Sequence, residues 1–229
     1  MSGTLQVGGV TLGTHNSGTG KVDLTNAGVT TVTTLNTTSI ASGTLGSSVV
    51  VPASVGSSLV LIKTETYPTA TTWTVEDCFS STYAMHMICF TDLTVSSNCN
   101  MHLQLIDESG TVNTTASHDW MQAASRQPGT SYQNGGNNVA YWRLVHDYEA
   151  LGNPFSATMY IEGIFNPLAS PSIHGTFQSY DDGYGALAGS MGGVFKVQSS
   201  TNYDGFKLTC SSGNIDGGRI TVYGLKHTG

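Results

Sequence analysis

The sequence predicts an all-β protein in which an extended N-terminal arm is followed by an antiparallel β-sandwich domain of jelly-roll-like type. Three observations lead to this fold class. No window keeps apolar residues at the 3.6-residue period of a capped helix. Apolar and polar residues instead alternate repeatedly, as they do in strands with one buried face. Clusters rich in Gly, Asn, Asp, Ser and Pro separate these stretches, which is typical of the turns of antiparallel sandwiches.

The arm is predicted over residues 1–58 and the head over residues 59–229. Up to Ile62 the chain is almost wholly Ser, Thr, Gly, Ala and Val, and Lys21 and Asp23 are its only charges. Such a composition belongs either to a flexible tether or to a chain that buries narrow side chains against copies of itself. Because disordered tails usually carry more charge, the pattern favours self-association. The residues expected at or near the symmetry axis, or against a neighbouring protein, are Val29, Val32, Leu35 and Ile40.

The strands of the head follow from period-2 alternation, taken in chain order. Two further expectations concern single residues: His118 begins a strand, and Trp142 lies in the core. The predicted strands and alternating stretches are Leu59–Thr66, Met85–Leu93, Met101–Ile106, Trp142–Val145, Met159–Phe165, Gly193–Ser199, Phe206–Cys210 and Arg219–Leu225.

The last two of these strands are predicted to form a C-terminal hairpin. Phe206, Leu208 and Cys210 share one strand face, and Ile220 and Val222 share one face of the return strand. The segment SSGNIDGG between them is rich in glycine, which accepts the positive φ angles of a tight reversal.

Composition and charge exclude two classes of partner. Charged residues make up 10% of the chain, against about 25% in typical proteins, so solubility rests on hydroxyl and amide groups. The net charge of -7 and the lack of a basic cluster argue against nucleic acid. No apolar run approaches the roughly 18 to 20 residues that span a bilayer, so we expect no membrane insertion.

The residue spacing gives little sign of catalysis. The seven histidines show no metal-ligand spacing, and G-x-S-x-G, G-x-G-x-x-G and P-loop motifs are missing. His118 and Asp119 are adjacent and therefore point to opposite faces of a strand. The sequence thus predicts a protein that is not an enzyme and has no cofactor or metal. The start of the chain shows no secretory signal, so the cysteines are expected to be free thiols: Cys78, Cys89, Cys99 and Cys210.

Aromatic residues in two predicted loops are candidates for sugar recognition. The loops Gln127–Asn138 and Tyr180–Ala188 combine Gly- and Asn-rich backbone with tyrosines and a carboxylate pair. Sugars bind by stacking on aromatic faces and by hydrogen bonds to planar polar groups. A simple turn-forming or packing role is the alternative for the same residues. The glycan-binding candidates are Tyr132, Tyr180, Asp181, Asp182 and Tyr184.

Three stretches of the chain resemble structural proteins of tailed, marine-type bacteriophages. Ala41–Thr66, ASGTLGSSVVVPASVGSSLVLIKTET, resembles the junction between a Gly/Ser/Thr stalk and the next domain. Phe79–Leu93, FSSTYAMHMICFTDL, resembles the strand pair that follows, and Tyr203–Lys226, YDGFKLTCSSGNIDGGRITVYGLK, resembles a recurrent C-terminal hairpin. The resemblance implies a homotrimeric fibre or capsid decoration, made in the host bacterial cytoplasm and placed on the virion beside tail, neck or capsid proteins. Residues 113–148 match no part of that pattern.

The sequence therefore leaves three functions in competition. The first is a non-enzymatic virion structural protein that is attached by its arm. The second is a receptor-binding head that recognises host cell-surface polysaccharide. The third, a depolymerase, is disfavoured because no catalytic constellation is visible.

Overall fold

The computed structural model of the protein describes residues 4–7, 10–16, 21–23, 58–127, 129–148, 154–166, 168–181, 185–196 and 202–226. The chain divides into two compact units, Met1–Pro52 and Ala53–Gly229. The predicted boundary, at residues 58 and 59, falls a few residues after this division.

The first unit contains a small antiparallel sheet. Its strands are β1 (Thr4–Val7), β2 (Val10–Asn16) and β3 (Lys21–Asp23), in the order β1-β2-β3. Part of the predicted arm is therefore a three-stranded sheet of short strands. The four residues predicted at the symmetry axis, Val29, Val32, Leu35 and Ile40, lie outside the described residues.

The second unit is built from strands alone within the described residues, which confirms the all-β prediction. Its strands are β4 (Leu59–Thr66), β5 (Thr72–Val75), β6 (Met85–Val95), β7 (Cys99–Asp107), β8 (His118–Arg126), β9 (Thr130–Val139), β10 (Trp142–Tyr148), β11 (Phe155–Glu162), β12 (Ser172–Asp181), β13 (Gly185–Phe195), β14 (Tyr203–Cys210) and β15 (Ile215–Leu225).

These strands form two antiparallel sheets that face each other across one core. The large sheet has eight strands in the order β4-β15-β6-β11-β12-β13-β8-β9, and the small sheet has four in the order β10-β7-β14-β5. Rings from the two sheets meet in the middle, for example Phe90 on β6 and Phe206 on β14, with centroids 6.3 Å apart. Alternate residues of β11, for example, enter this core, as the sandwich arrangement requires.

The predicted C-terminal hairpin is wrong, although the predicted strand faces are confirmed. β14 pairs with β5 and β7 in the small sheet, whereas β15 pairs with β4 and β6 in the large sheet. The segment that joins them crosses between the sheets beside the β6–β7 connection. Ser96 N donates to Asn214 O at 2.9 Å, and Asn100 N donates to Ser211 Oγ at 2.8 Å. These bonds hold the two crossings together, and Ile215, in the predicted turn, is fully buried.

Candidate functional site

The two loops predicted to recognise sugars are mostly strands. Residues 130–139 form β9, which pairs with β8 from Arg126 opposite Thr130 to His118 opposite Val139. β12 continues to Asp181 and β13 begins at Gly185, so only a short connection separates them. The prediction of two long loops is therefore wrong. β9 lies at a sheet edge, where only one side of the backbone needs partners and a Gly- and Asn-rich strand is tolerated.

Tyr132 on β9 is held by contacts within the head. The residue is partly buried against the core, and the Arg126 guanidinium lies 4.5 Å from its ring centroid. The Tyr132 hydroxyl accepts a hydrogen bond from Asn134 Nδ2 at 2.8 Å. The ring therefore has packing partners on its own hairpin, as the alternative interpretation proposed.

Tyr132 and Tyr180 lie on opposite faces of the large sheet. In the pairing register, Tyr132 is opposite Ala124, Ala124 opposite Gly189, and Gly189 opposite Phe177. This row belongs to the core face, because Ala124 and Phe177 are buried. Tyr180 is an odd number of residues from Phe177 on the same strand, and its side chain is 37% exposed. The structure therefore does not bring the two tyrosines into one site.

The acidic turn is only partly described. Asp181 is the last residue of β12. Asp182 and Tyr184 lie outside the described residues. Their predicted part in sugar recognition stays a prediction.

Two histidines, His86 and His118, are fully buried in the head, and a third, His102, is half-buried on the outer face of β7. His86 is fully buried, and its Nε2 accepts a hydrogen bond from Ser80 N at 3.0 Å. Its ring stands edge-on to Phe79 and Tyr83, with centroids 5.0 and 5.8 Å apart. Burial lowers the pKa of His86 to about 4, so the imidazole is neutral near pH 7.

His118 begins β8, as predicted, and is fully buried. Its Nδ1 lies 3.2 Å from Thr115 O and 3.1 Å from Val139 O, so this nitrogen carries the proton and donates to the two carbonyls. The ring stands edge-on to Trp142, which is fully buried as predicted. Burial lowers the pKa of His118. The neighbouring Asp119 points the other way, as strand alternation requires.

His102 on β7 stacks on Tyr141, with ring centroids 3.7 Å apart. Burial, and then the charge of Arg143, lower the pKa of His102 to about 4. Within the described part of the chain, no group of three or more His, Cys, Asp or Glu side chains lies close enough together to hold a metal ion.

A cavity of about 500 Å³ lies where β11 turns into β12. Tyr83, in the turn before β6, forms part of its wall, and Glu162 and Ser172 stand at the facing strand ends. The connecting loop contributes Phe165 and Asn166. The remaining lining residues are Ser81, Ala84, Gly163, Ile164, Ala169 and Ser170.

The cavity owes its shape to local backbone and side-chain contacts. Gly163 leaves β11 with φ of 75°, a left-handed conformation that glycine adopts without steric cost. Asn166 Oδ1 accepts a hydrogen bond from Leu168 N at 3.0 Å, and Ser172 Oγ donates to Glu162 Oε1 at 3.1 Å. Sequence reasoning missed this site because Tyr83 and Glu162 lie far apart in the chain. The one local signal was the turn cluster NPLASPS, which marks the loop but not its partners.

Within the described residues, the structure contains no helix of the length and apolarity that a membrane crossing requires. Comparison of the chain with protein-family models, with curated proteins and with solved structures finds no match.

Proposed function

We propose that this protein is a non-enzymatic structural subunit of a bacteriophage virion, a trimeric fibre or decoration protein that is attached by its N-terminal arm. The proposal extends the resemblance of three stretches of the chain to such proteins. Virion subunits made in the bacterial cytoplasm need a stable head and a surface that assembles, and the chain offers features suited to both.

The observation that carries the proposal is the apolar edge strand at which the arm joins the head. β4 lies at the edge of the large sheet, and Leu59 and Leu61 on it are 37% and 57% exposed. Exposed apolar edges of this kind are normally covered in soluble proteins, because they template pairing with other chains. A neighbouring subunit or virion protein at this edge would remove both leucines from water.

Cryo-electron microscopy of intact particles of a phage that encodes this chain tests the proposal. We expect density for three copies of the head around one axis at the tail, neck or capsid, with β4 on the side nearest a neighbouring chain. Particles whose protein composition lacks the chain would contradict a virion role.

A second candidate function is recognition of host surface glycan by the head. The cavity beside Tyr83 favours it, because the lining combines aromatic rings with a carboxylate, an amide and hydroxyl groups. Binding of the purified protein to a glycan array tests this candidate separately from virion incorporation.

A further inference from the structure

We propose that the cavity between the Ser81–Ala84 turn and the β11–β12 loop binds one neutral sugar unit of a glycan, with Tyr83, Glu162 and Asn166 as the recognising side chains. This inference rests on the second candidate function and names its site and ligand class. The proposed site does not include Tyr132 or Tyr180, which lie on opposite faces of the large sheet.

Tyr83 supplies an aromatic surface whose position is already fixed. A Cβ atom placed on Gly224 of β15 would lie 2.6 Å from Tyr83 Cδ1, so the ring packs directly on the backbone of that strand. His86 fixes the ring from a second direction, edge-on at 5.8 Å. A ring held in this way loses little conformational entropy when a sugar stacks on it.

Glu162 and Asn166 supply complementary hydrogen-bonding groups. The Ser172 hydroxyl orients the Glu162 carboxylate and uses one of its about four lone-pair sites, so the group keeps capacity to accept from sugar hydroxyls. Because Asn166 Oδ1 already accepts from Leu168 N, the amide presents its NH₂ group as a donor. A sugar hydroxyl both donates and accepts hydrogen bonds. Glu162 can accept from it, and Asn166 can donate to it.

The charge of the lining selects among sugars. Glu162 is the one charged side chain among the described lining residues, and Lys and Arg are absent from them. A carboxylate, sulfate or phosphate on the ligand would meet an unpaired negative charge and would be disfavoured. The volume of about 500 Å³ lies within the roughly 300–1,000 Å³ typical of small-ligand sites. A neutral hexose or N-acetylhexosamine therefore fits best.

A second aromatic surface continues from the cavity along the sheet. Glu162 pairs in register with Ser172, and Tyr160 pairs with His174 on the same face. The Tyr160 and His174 rings are stacked with centroids 5.4 Å apart. This strip is placed to contact the next sugar of a chain whose end occupies the cavity.

Saturation-transfer NMR on the full chain tests the inference. The probes are the methyl glycosides of glucose, galactose, mannose and N-acetylglucosamine, with glucuronate and N-acetylneuraminate as anionic counterparts. We expect transfer to at least one neutral glycoside. Glu162→Gln should weaken its binding by about tenfold or more, because a charged hydrogen-bond acceptor is replaced by a weaker neutral one. Glu65→Gln is the matched control, since Glu65 lies on β4 and bonds Trp73 Nε1 at 3.2 Å.

Circular dichroism of each variant separates loss of binding from loss of fold. If Glu162→Gln does not fold, Ser172→Ala takes its place, because it removes only the hydroxyl that orients the carboxylate. If Glu162→Gln, or Ser172→Ala in its place, binds neutral sugars as the parent does, this inference is wrong, but glycan recognition elsewhere on the head is still supported. Stronger binding of the anionic sugars overturns the charge argument and with it the inference. No transfer to any probe, with no array binding, overturns both.

Discussion

Adjacent glycines on β13 show how closely the two sheets approach at single residues. A Cβ atom on Gly193 would lie 2.6 Å from Trp142 Cδ1 and 2.7 Å from Asp119 O, whereas one on Gly192 would come no closer than 3.8 Å, to Ile173 O. Trp142 thus fills the space above Gly193, and the lack of a side chain there is a packing requirement.

We expect Gly193→Ala to lower the free energy of unfolding by about 1–3 kcal/mol, because the new methyl group overpacks the core. Gly192→Ala is the matched control and should stay within about 0.5 kcal/mol of the parent, since its side faces open space. Urea denaturation of the three proteins measures the difference. Equal stability of the two variants would show that Trp142 does not pack on Gly193.

Two histidines whose pKa values are lowered in the folded head predict a loss of stability in mild acid. In the unfolded chain, histidine titrates near 6.5, whereas the pKa values of His86 and His102 in the head are lowered to about 4. Between these values the unfolded chain binds more protons, so the free energy of unfolding falls as the pH falls. The slope is up to about 1.4 kcal/mol per pH unit for a fully buried group such as His86. Burial raises the pKa of Asp204 above 3.8. Near that pH the folded protein therefore binds more protons at Asp204 than the unfolded chain does, so this group raises the free energy of unfolding as the pH falls.

Urea denaturation at about pH 7.5 and about pH 5 measures this linkage. The protein should be less stable at the lower pH, and the NMR signals of the His86 ring should still be those of neutral imidazole there. A stability that is the same at both pH values, or a His86 ring that is charged at the lower one, would contradict the lowered pKa values of these histidines.

The four cysteines should differ in reactivity in the folded protein. Cys78, Cys99 and Cys210 are buried, whereas Cys89 is half-buried. Burial raises the pKa of the Cys78 thiol, and a hydrogen bond with Cys210, then burial, raise that of Cys99. The same hydrogen bond lowers the pKa of Cys210, but its burial keeps the reagent away. We expect iodoacetamide to modify Cys89 first in the native state and all four cysteines after denaturation without reductant. Mass spectrometry that finds a protected pair after denaturation would show a disulfide.

At the scale of elements, the sequence predicted several strands that are rich in apolar side chains. β4 matches the predicted bounds, and the predicted faces of β14 and β15 are buried. The sequence missed β9 because an edge strand needs few apolar side chains, and its Gly and Asn content is that of a loop. It missed the true partners of β14 and β15 because a turn and a crossing between sheets use the same residue types.

The candidate site was less predictable than the strands. Tyr83, Glu162 and Asn166 come from separate turns, and only the pairing of β6 with β11 and of β11 with β12 brings those turns to one end of the sheet. No local pattern records which turns meet. Tyr132, an aromatic residue in a Gly-rich segment, packs on its own hairpin, and its part in sugar recognition stays a prediction.

The end of the edge strand β9 is held by a polar cluster around Lys196. Its Nζ lies 2.8 Å from Asp119 Oδ2 and donates to Asn137 and Asn138 at 3.0 and 2.9 Å. Asp119 Oδ1 accepts from Asn138 N at 2.9 Å, where φ is 54°. The hydrogen bond from Lys196 lowers the pKa of Asp119.

Lys196→Met should raise the pKa of Asp119 toward its ordinary value and speed amide exchange at the end of β9, because the cluster loses its cation. Hydrogen-exchange mass spectrometry measures the second effect, with the central strand β6 as internal reference. Lys226→Met, at an exposed lysine that directly follows β15, is the control and should leave exchange in β9 unchanged. Unaltered exchange in the Lys196 variant would show that edge pairing alone holds β9.

At the scale of the whole molecule, the two units differ in how they can be stabilised. The head has a core of large buried side chains from both sheets, sufficient for an independent sandwich. Residues 1–58 offer few bulky apolar side chains, so we expect burial there to depend on a partner surface. The proposed trimer links the two units, because arms and exposed β4 edges would both be covered by neighbouring chains.

Sedimentation of the purified full chain tests the proposed assembly most directly. Analytical ultracentrifugation at micromolar concentration should give a species of three times the 24.0 kDa chain mass. The quadruple change of Val29, Val32, Leu35 and Ile40 to Asp should reduce it to a folded monomer, since charges are costly at a packed axis. A parent chain that sediments as a monomer with its arm intact would contradict the trimer and the role proposed for the arm.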